Sequence, residues 1–198
     1  MRILALFLAF FFFSGIAFSL SAEWKTSLER LKKFGLTPSD YAIVIDISEQ
    51  KLYLLKGFKI VRIYPVSTSR YGVGGEEGSF KTPLGMHRVF EKIGYGALLG
   101  TIFEHRKNTG KIARIYTDNT DLPEDIITTR IIRLEGLEEG INKGKGVDSL
   151  RRFIYIHGTP EEGLIGKPAS RGCIRMKNRD IIELFDLIDV GTLVEIRQ

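Results

Sequence analysis

One cysteine, Cys173, stands in 198 residues, so no intramolecular disulfide can form. Only three histidines are present, His87, His105 and His157. None has a partner at metal-ligand spacing such as His-x-x-x-His or Cys-x-x-Cys, so no metal site is expected. A zinc site on Cys173 and His157 would be short of ligands. There are no internal repeats and no low-complexity linker. The glycine-rich residues 71–78 lack both a Gly-Lys-Ser/Thr ending and a following helix, which makes them a loop sequence, not a phosphate cradle. Ser48-Glu-Gln-Lys51 spells a serine acyl-enzyme motif, but neither a helix start nor a later Lys-Thr-Gly accompanies it. Ser48 is read as a hairpin-turn residue.

Long apolar runs are confined to the N-terminus. Arg2 is followed by an unbroken apolar stretch, residues 3–13, with four consecutive phenylalanines. Ala17-Phe-Ser19 and Leu20-Ser-Ala22 offer small residues for cleavage, so residues 1–22 read as an export signal. The alternative is a retained anchor, since residues 3–22 are long enough to cross a bilayer. No cysteine follows the run to take a lipid. Export bears on the charge. Removing Arg2 from the 29 basic residues leaves 28, against 24 acidic ones. In an exported protein, a wall polymer carrying carboxylates is a better partner for this mild basic balance than nucleic acid, and a solvated surface with no partner is an equal reading. The expected location is the periplasm, with membrane contact only through an uncleaved signal segment. A lone cysteine in an oxidising compartment is the signature of a free reactive thiol.

The surroundings of that thiol read the same way. Ile154-Tyr-Ile-His-Gly-Thr159 places His157 at the close of a strand starting at Phe153, and Ser170-Arg-Gly-Cys-Ile-Arg-Met176 follows. Gly172 suits a tight turn whose backbone N–H groups approach a substrate oxygen. Arg171 and Arg175 add positive charge, which is expected to favour thiolate over thiol. A buried apolar filler is the other reading of a lone cysteine. As chemistry, Cys173 is the nucleophile and His157 the base that takes its proton and returns one to a leaving amine. The Gly172 and Cys173 N–H groups form an oxyanion hole, and Arg175 is placed to meet a substrate carboxylate. No cofactor is needed.

The rest of the chain reads as strands with few helices. Residues 23–34 carry Trp24, Leu28 and Leu31 at helical spacing, with Gly35 as a stop. From Tyr41 the period is two, giving strands at 41–47, 50–55 and 59–66, then 86–90, 127–134, 153–156 and 192–197. Residues 92–123 have little regular period and read as a long loop over the catalytic half. His87 reads as packing or surface, and His105 as solvated. Asn178 is expected to cap a helix whose buried stripe is Ile181, Ile182, Leu184, Phe185 and Ile188. The fold class is mainly β, a closed or sandwich-like β domain with one substantial C-terminal helix and a short N-terminal helix. The expected division is a signal at 1–22, a helix and linker at 23–39, and a catalytic domain at 40–198.

His-Gly-Thr, then Ser170-x-Gly-Cys-Ile-Arg-Met176, resembles the catalytic signature of the L,D-transpeptidases, the YkuD-type domain. Gly78-Ser-Phe-Lys-Thr-Pro-Leu-Gly85 resembles the segment those domains carry upstream. The match spans about residues 40–197. The resemblance implies a peptidoglycan tetrapeptide stem as substrate, attack on the carbonyl of its third residue, loss of D-alanine and a Cys173 thioester. It implies that the Gly158 carbonyl orients the His157 ring, with Ser170, Arg171, Gly172 and Arg175 lining the substrate side. Many members carry histidine where this chain has Arg171. The acceptor is another stem, a lipoprotein lysine or water. A hydrolase on the same scaffold and a non-catalytic wall-binding module stand as alternatives.

Overall fold

The computed structural model describes residues 22–198. The expected signal at 1–22 therefore lies outside the described residues except for Ala22. The elements run α1 (Ala22–Lys33), β1 (Tyr41–Asp46), β2 (Lys51–Lys56), β3 (Lys59–Ser67), β4 (Gly85–Ile93), β5 (Thr101–Glu104), β6 (Lys107–Ile112), β7 (Ile127–Gly136), β8 (Tyr155–Gly158), β9 (Ile174–Met176), α2 (Asn178–Leu187) and β10 (Leu193–Arg197). The strands pair in the order β4-β10-β1-β2-β3-β9-β8-β7, and β7 pairs back onto β4. That last pairing closes a barrel, which settles the choice between a barrel and a sandwich. Among the described residues no helix is long and apolar enough to cross a membrane.

The burial pattern shows what closes it. β1 and β2 are buried on both faces, not alternately. Ile43, Ile45, Leu52 and Leu54 point into the interior with Val66, Ile156, Ile174, Met176 and Val194. Ala42, Val44, Tyr53 and Leu55 instead meet Leu28 and Leu31 of α1. A strand covered by a helix on one side and a core on the other reads as a continuous apolar run. Arg30 fastens α1 by ion pairs of 3.0 Å to Glu138 and to the buried Glu195. α2 adds Ile181, Leu184, Phe185 and Ile188 to the interior cluster. Its N-cap is Lys177, not Asn178. The Asn178 amide is drawn inward, where its oxygen accepts from Thr128 and Thr129 hydroxyls at 2.6 and 2.5 Å and its nitrogen donates to the Thr159 carbonyl at 2.8 Å. Ser48 sits in the β1–β2 turn and donates to Asp46, as expected. His87 is fully buried between the Gly85 carbonyl and the Ser149 hydroxyl, and burial lowers its pKa to about 4.

Two expectations about the second half change. Residues 92–123 are not one loop, because β5 and β6 form a hairpin and β5 pairs with the start of β7. Its two-residue turn is His105-Arg106, both at positive φ (47° and 67°). Such turns favour Asn-Gly, so the sequence carried no turn signal there. The expected strand from Phe153 starts two residues later, at Tyr155, because Phe153 takes a φ of 57° and turns the chain.

Candidate active site

β8 and β9 run parallel, with Ile156 opposite Ile174, His157 opposite Arg175 and Gly158 opposite Met176. Side chains alternate across a strand. Ile156, Ile174 and Met176 face the core, so Tyr155, His157, Cys173 and Arg175 share the other face. Parallel strands need a crossover, and residues 159–173 supply it. The histidine is thus held inside one strand and the cysteine on the turn entering its neighbour.

The His157 ring is buried at 1% exposure. Its Nδ1 lies 2.8 Å from the Gly158 carbonyl oxygen. A carbonyl only accepts, so Nδ1 carries the proton and Nε2 keeps its lone pair. Nε2 is buried and meets no hydrogen-bonding partner among the described residues. Burial lowers the ring's pKa, with Asp125 and the Gly158 carbonyl opposing and Arg175 assisting. The imidazole is therefore neutral at neutral pH. Gly158 is required by close approach, because a Cβ there would stand 2.7 Å from both Asn178 Oδ1 and the Thr128 carbonyl oxygen.

Cys173 is half-buried, and its thiol donates to the Phe153 carbonyl at 3.4 Å. It packs against the cluster of Phe103, Ile131 and Tyr155. Burial first, and then the charge of Asp125, push the thiol up to about 12, while the Tyr155 backbone, Arg175 and Arg152 pull the other way. The expected pull of Arg175 towards thiolate is thus present but smaller than the opposing effect of burial. Neither arginine delivers its charge to the sulfur alone. Arg171 is exposed and spends a donor on the Pro123 carbonyl. Arg175, 2% exposed, donates to Glu161 at 2.5 Å and to the Ala169 carbonyl at 2.6 Å, and its Nε stands 3.6 Å from Asp125.

The cysteine turn is braced from three sides. Ser170 is fully buried, donates to the Cys173 carbonyl at 2.6 Å and accepts a long contact of 3.3 Å from the Gly172 N–H. Thr82, from the upstream Lys-Thr-Pro segment, donates to the Gly172 carbonyl at 3.1 Å. Gly172 takes a φ of 117°, open to glycine and little else. Arg152 ties the Phe153 corner to the Gly75 and Lys81 carbonyls. Beside the turn lies a cavity of about 270 Å³, lined by Arg70, Asp121, Asp125, Glu161, Arg171 and Arg175. A larger cavity of about 590 Å³, near Asp40, Lys56 and Thr192, holds none of the expected site residues.

Sequence reasoning missed Asp125, Glu161, Arg152 and Phe153. Each lies outside the two short motifs and reaches the site only through the fold. The glutamate has one local sign, its place two residues after Thr159.

A family model for the L,D-transpeptidase catalytic domain matches residues 40–196. YcfS of Escherichia coli, which carries the L,D-transpeptidase name, is 28% identical over 166 residues, covering 78% of this chain and 43% of that protein. YkuD of Bacillus licheniformis, similarly named, is 56% identical over 49 residues, covering 24% of this chain and 30% of that protein. The chain therefore spans under half the length of these relatives. Among solved structures, an L,D-transpeptidase from Mycobacterium smegmatis superimposes with a TM-score of 0.51 at 18% identity, covering 80% of this chain and 59% of that one. L,D-transpeptidase 3 from Mycobacterium tuberculosis gives 0.50 at 16% identity, covering 80% and 61%. These two show the shared fold. The chain belongs to the L,D-transpeptidase catalytic-domain family.

Proposed function

We propose that the chain is an exported cysteine L,D-transpeptidase that acts on peptidoglycan stem peptides. The observation that carries this reading is that His157, its ring fixed by the Gly158 carbonyl and its Nε2 without a partner among the described residues, stands with Cys173 on one face of adjacent strands. A thiol at about 12 is a poor nucleophile until a base removes its proton. His157 Nε2 has a free lone pair for that purpose. As Sγ bonds to the carbonyl carbon of the third stem residue, its proton passes to Nε2. The oxyanion forms against the backbone N–H of Cys173, joined by that of Gly172 once it gives up its long contact of 3.3 Å to Ser170 Oγ. His157 then gives the proton to the departing D-alanine nitrogen, the C–N bond breaks, and a thioester remains on Cys173. An amine acceptor loses a proton to His157 as it attacks the thioester, and the thiol is regenerated when that proton returns to sulfur. The negative charge of Asp125 favours the imidazolium that appears in each half.

In this account Arg175 braces the site. Its donors are turned to Glu161 and Ala169, and Glu161 in turn accepts the Leu122 N–H at 2.8 Å. The buried pair thereby holds residues 121–125 beside the cysteine turn. The family resemblance carries the substrate class and the periplasmic setting; the acceptor is proposed to be an amine, because an apolar cluster drawing on the β4–β5 loop and the hairpin packs against Cys173. Ala97 and Phe103 pack in the same cluster as Cys173. Excluding water protects a thioester for aminolysis. The test is mass analysis of the products formed from purified tetrapeptide stems. D-alanine release with a cross-linked dimer supports transfer. D-alanine release without one makes the protein a hydrolase, and no release with retained stem binding makes it a wall-binding module.

A further inference from the structure

The proposed substrate brings a carboxylate beside the scissile bond on the leaving residue, and a second one where the third residue of the stem is a diamino acid with a side-chain carboxyl group. Arg175 is 2% exposed, with Nη1 on Glu161, Nη2 on the Ala169 carbonyl and Nε buried without a hydrogen-bonding partner among the described residues, so it offers no open edge, and Arg152 spends its donors on the Gly74, Gly75 and Lys81 carbonyls. Arg106 is different. It stands at the tip of the β5–β6 hairpin, exposed, with its guanidinium carbon 5.5 Å from the centroid of the Phe153 ring. One donor reaches the Tyr155 hydroxyl at 3.3 Å, and the others have no protein acceptor among the described residues.

Both aromatic residues it engages touch the nucleophile. The Phe153 carbonyl accepts the Cys173 thiol, and Tyr155 packs in the cysteine's cluster. A cation stacked on a ring keeps its outer edge open to a planar carboxylate, the geometry that suits a guanidinium fork. The placement is also fixed in advance. His105 and Arg106 both hold positive φ, as does Phe153, and non-glycine residues in that region are strained and cluster at functional sites. Preorganised contacts lose less affinity to ordering.

We propose that Arg106 binds a carboxylate of the acyl donor next to the scissile bond, which makes the β5–β6 turn an element of substrate specificity. The assignment rests on the transpeptidase reading of the site. It is tested with three stem donors: one with both carboxylates free, one amidated at the leaving residue, and one amidated at the side chain of the diamino residue. kcat/KM is read from release of the leaving residue by the wild type, Arg106→Gln and Arg106→Lys. One amidation is expected to weaken the wild type about tenfold, in line with loss of a charge-assisted bond at an exposed site. Which amidation does so identifies the carboxylate. Arg106→Gln is expected to erase that preference, and Arg106→Lys to keep part of it, since lysine retains charge without the fork. Equal losses on all three donors would mean that Arg106 only supports Phe153 and Tyr155. An undiminished preference would also overturn the assignment. A wild type that forms no acyl-enzyme with any donor overturns the functional reading, and the assignment falls with it.

Discussion

Arg175 and Glu161 meet at 2.5 Å with 2% and 1% of their side chains exposed. A cation two residues after a nucleophile looks like a substrate ligand; here it meets a buried glutamate, and its proposed role is that of an internal strut. Breaking a buried pair by removing one partner strands the other charge and costs about 3–5 kcal/mol. Glu161→Ala is therefore expected to lower unfolding free energy by about that amount, measured by denaturant melts. The double variant Glu161→Leu with Arg175→Met should recover most of the loss, because an apolar pair of similar volume avoids the desolvation penalty. A Glu161→Ala protein of normal stability would remove the strut role.

The second prediction concerns pH. A thiol raised to about 12, against an ordinary value of about 8.5, should alkylate slowly at neutral pH in the free protein. The thiolate fraction grows as pH rises towards the pKa, so iodoacetamide labelling should keep climbing through about pH 10. Labelling that plateaus below neutrality would indicate a preformed thiolate. Turnover should behave differently. It needs neutral His157, whose folded pKa lies below the usual histidine value. Activity should therefore persist below about pH 6.5 and fall only as the ring takes a proton.

How far the residues announced this can be judged from particular places. That Cys173 and His157 would be brought together was legible, because a lone thiol, a glycine turn and a strand histidine each constrain local structure, and the two share one face of adjacent strands. Closure of the barrel was not, because it depends on β4 meeting β7 across some forty residues and neither strand names its partner. Asp125, which pushes the thiol up and supports the imidazolium, lies in an irregular stretch with no motif. The state of the thiol was not legible for a related reason: burial, which the fold sets, outweighs the pull of Arg175 towards thiolate, and Arg175 also meets a glutamate fourteen positions earlier. The hairpin escaped because His105-Arg106 adopts a glycine-like turn without glycine.

The third prediction concerns the shelter over the sulfur. Between β4 and β5, Tyr95 and Leu98 are 90% and 72% exposed, next to the partly buried Ala97, which packs against the cluster of Phe103, Ile131 and Tyr155. Deleting the hairpin would strip β5 from β7, so a gentler change is needed. Tyr95→Ser with Leu98→Ser should leave the melting temperature nearly unchanged, as exposed substitutions stay within about 0.5 kcal/mol. If this loop keeps water from the thioester, the ratio of cross-linked to hydrolysed product should drop severalfold while acylation continues. An unchanged ratio would leave the loop with no part in acceptor choice.

The central claim is that Cys173 carries the acyl group. Its most direct test is intact-mass spectrometry of the protein after brief incubation with a tetrapeptide stem. Wild type is expected to gain the mass of the stem less D-alanine, with peptide mapping placing the adduct on Cys173. Cys173→Ala should keep its fold by circular dichroism and gain nothing, and Cys173→Ser should be nearly as inert, since a hydroxyl is far harder to deprotonate beside one imidazole. D-alanine release that persists in Cys173→Ala, or an adduct that maps elsewhere, would contradict the account.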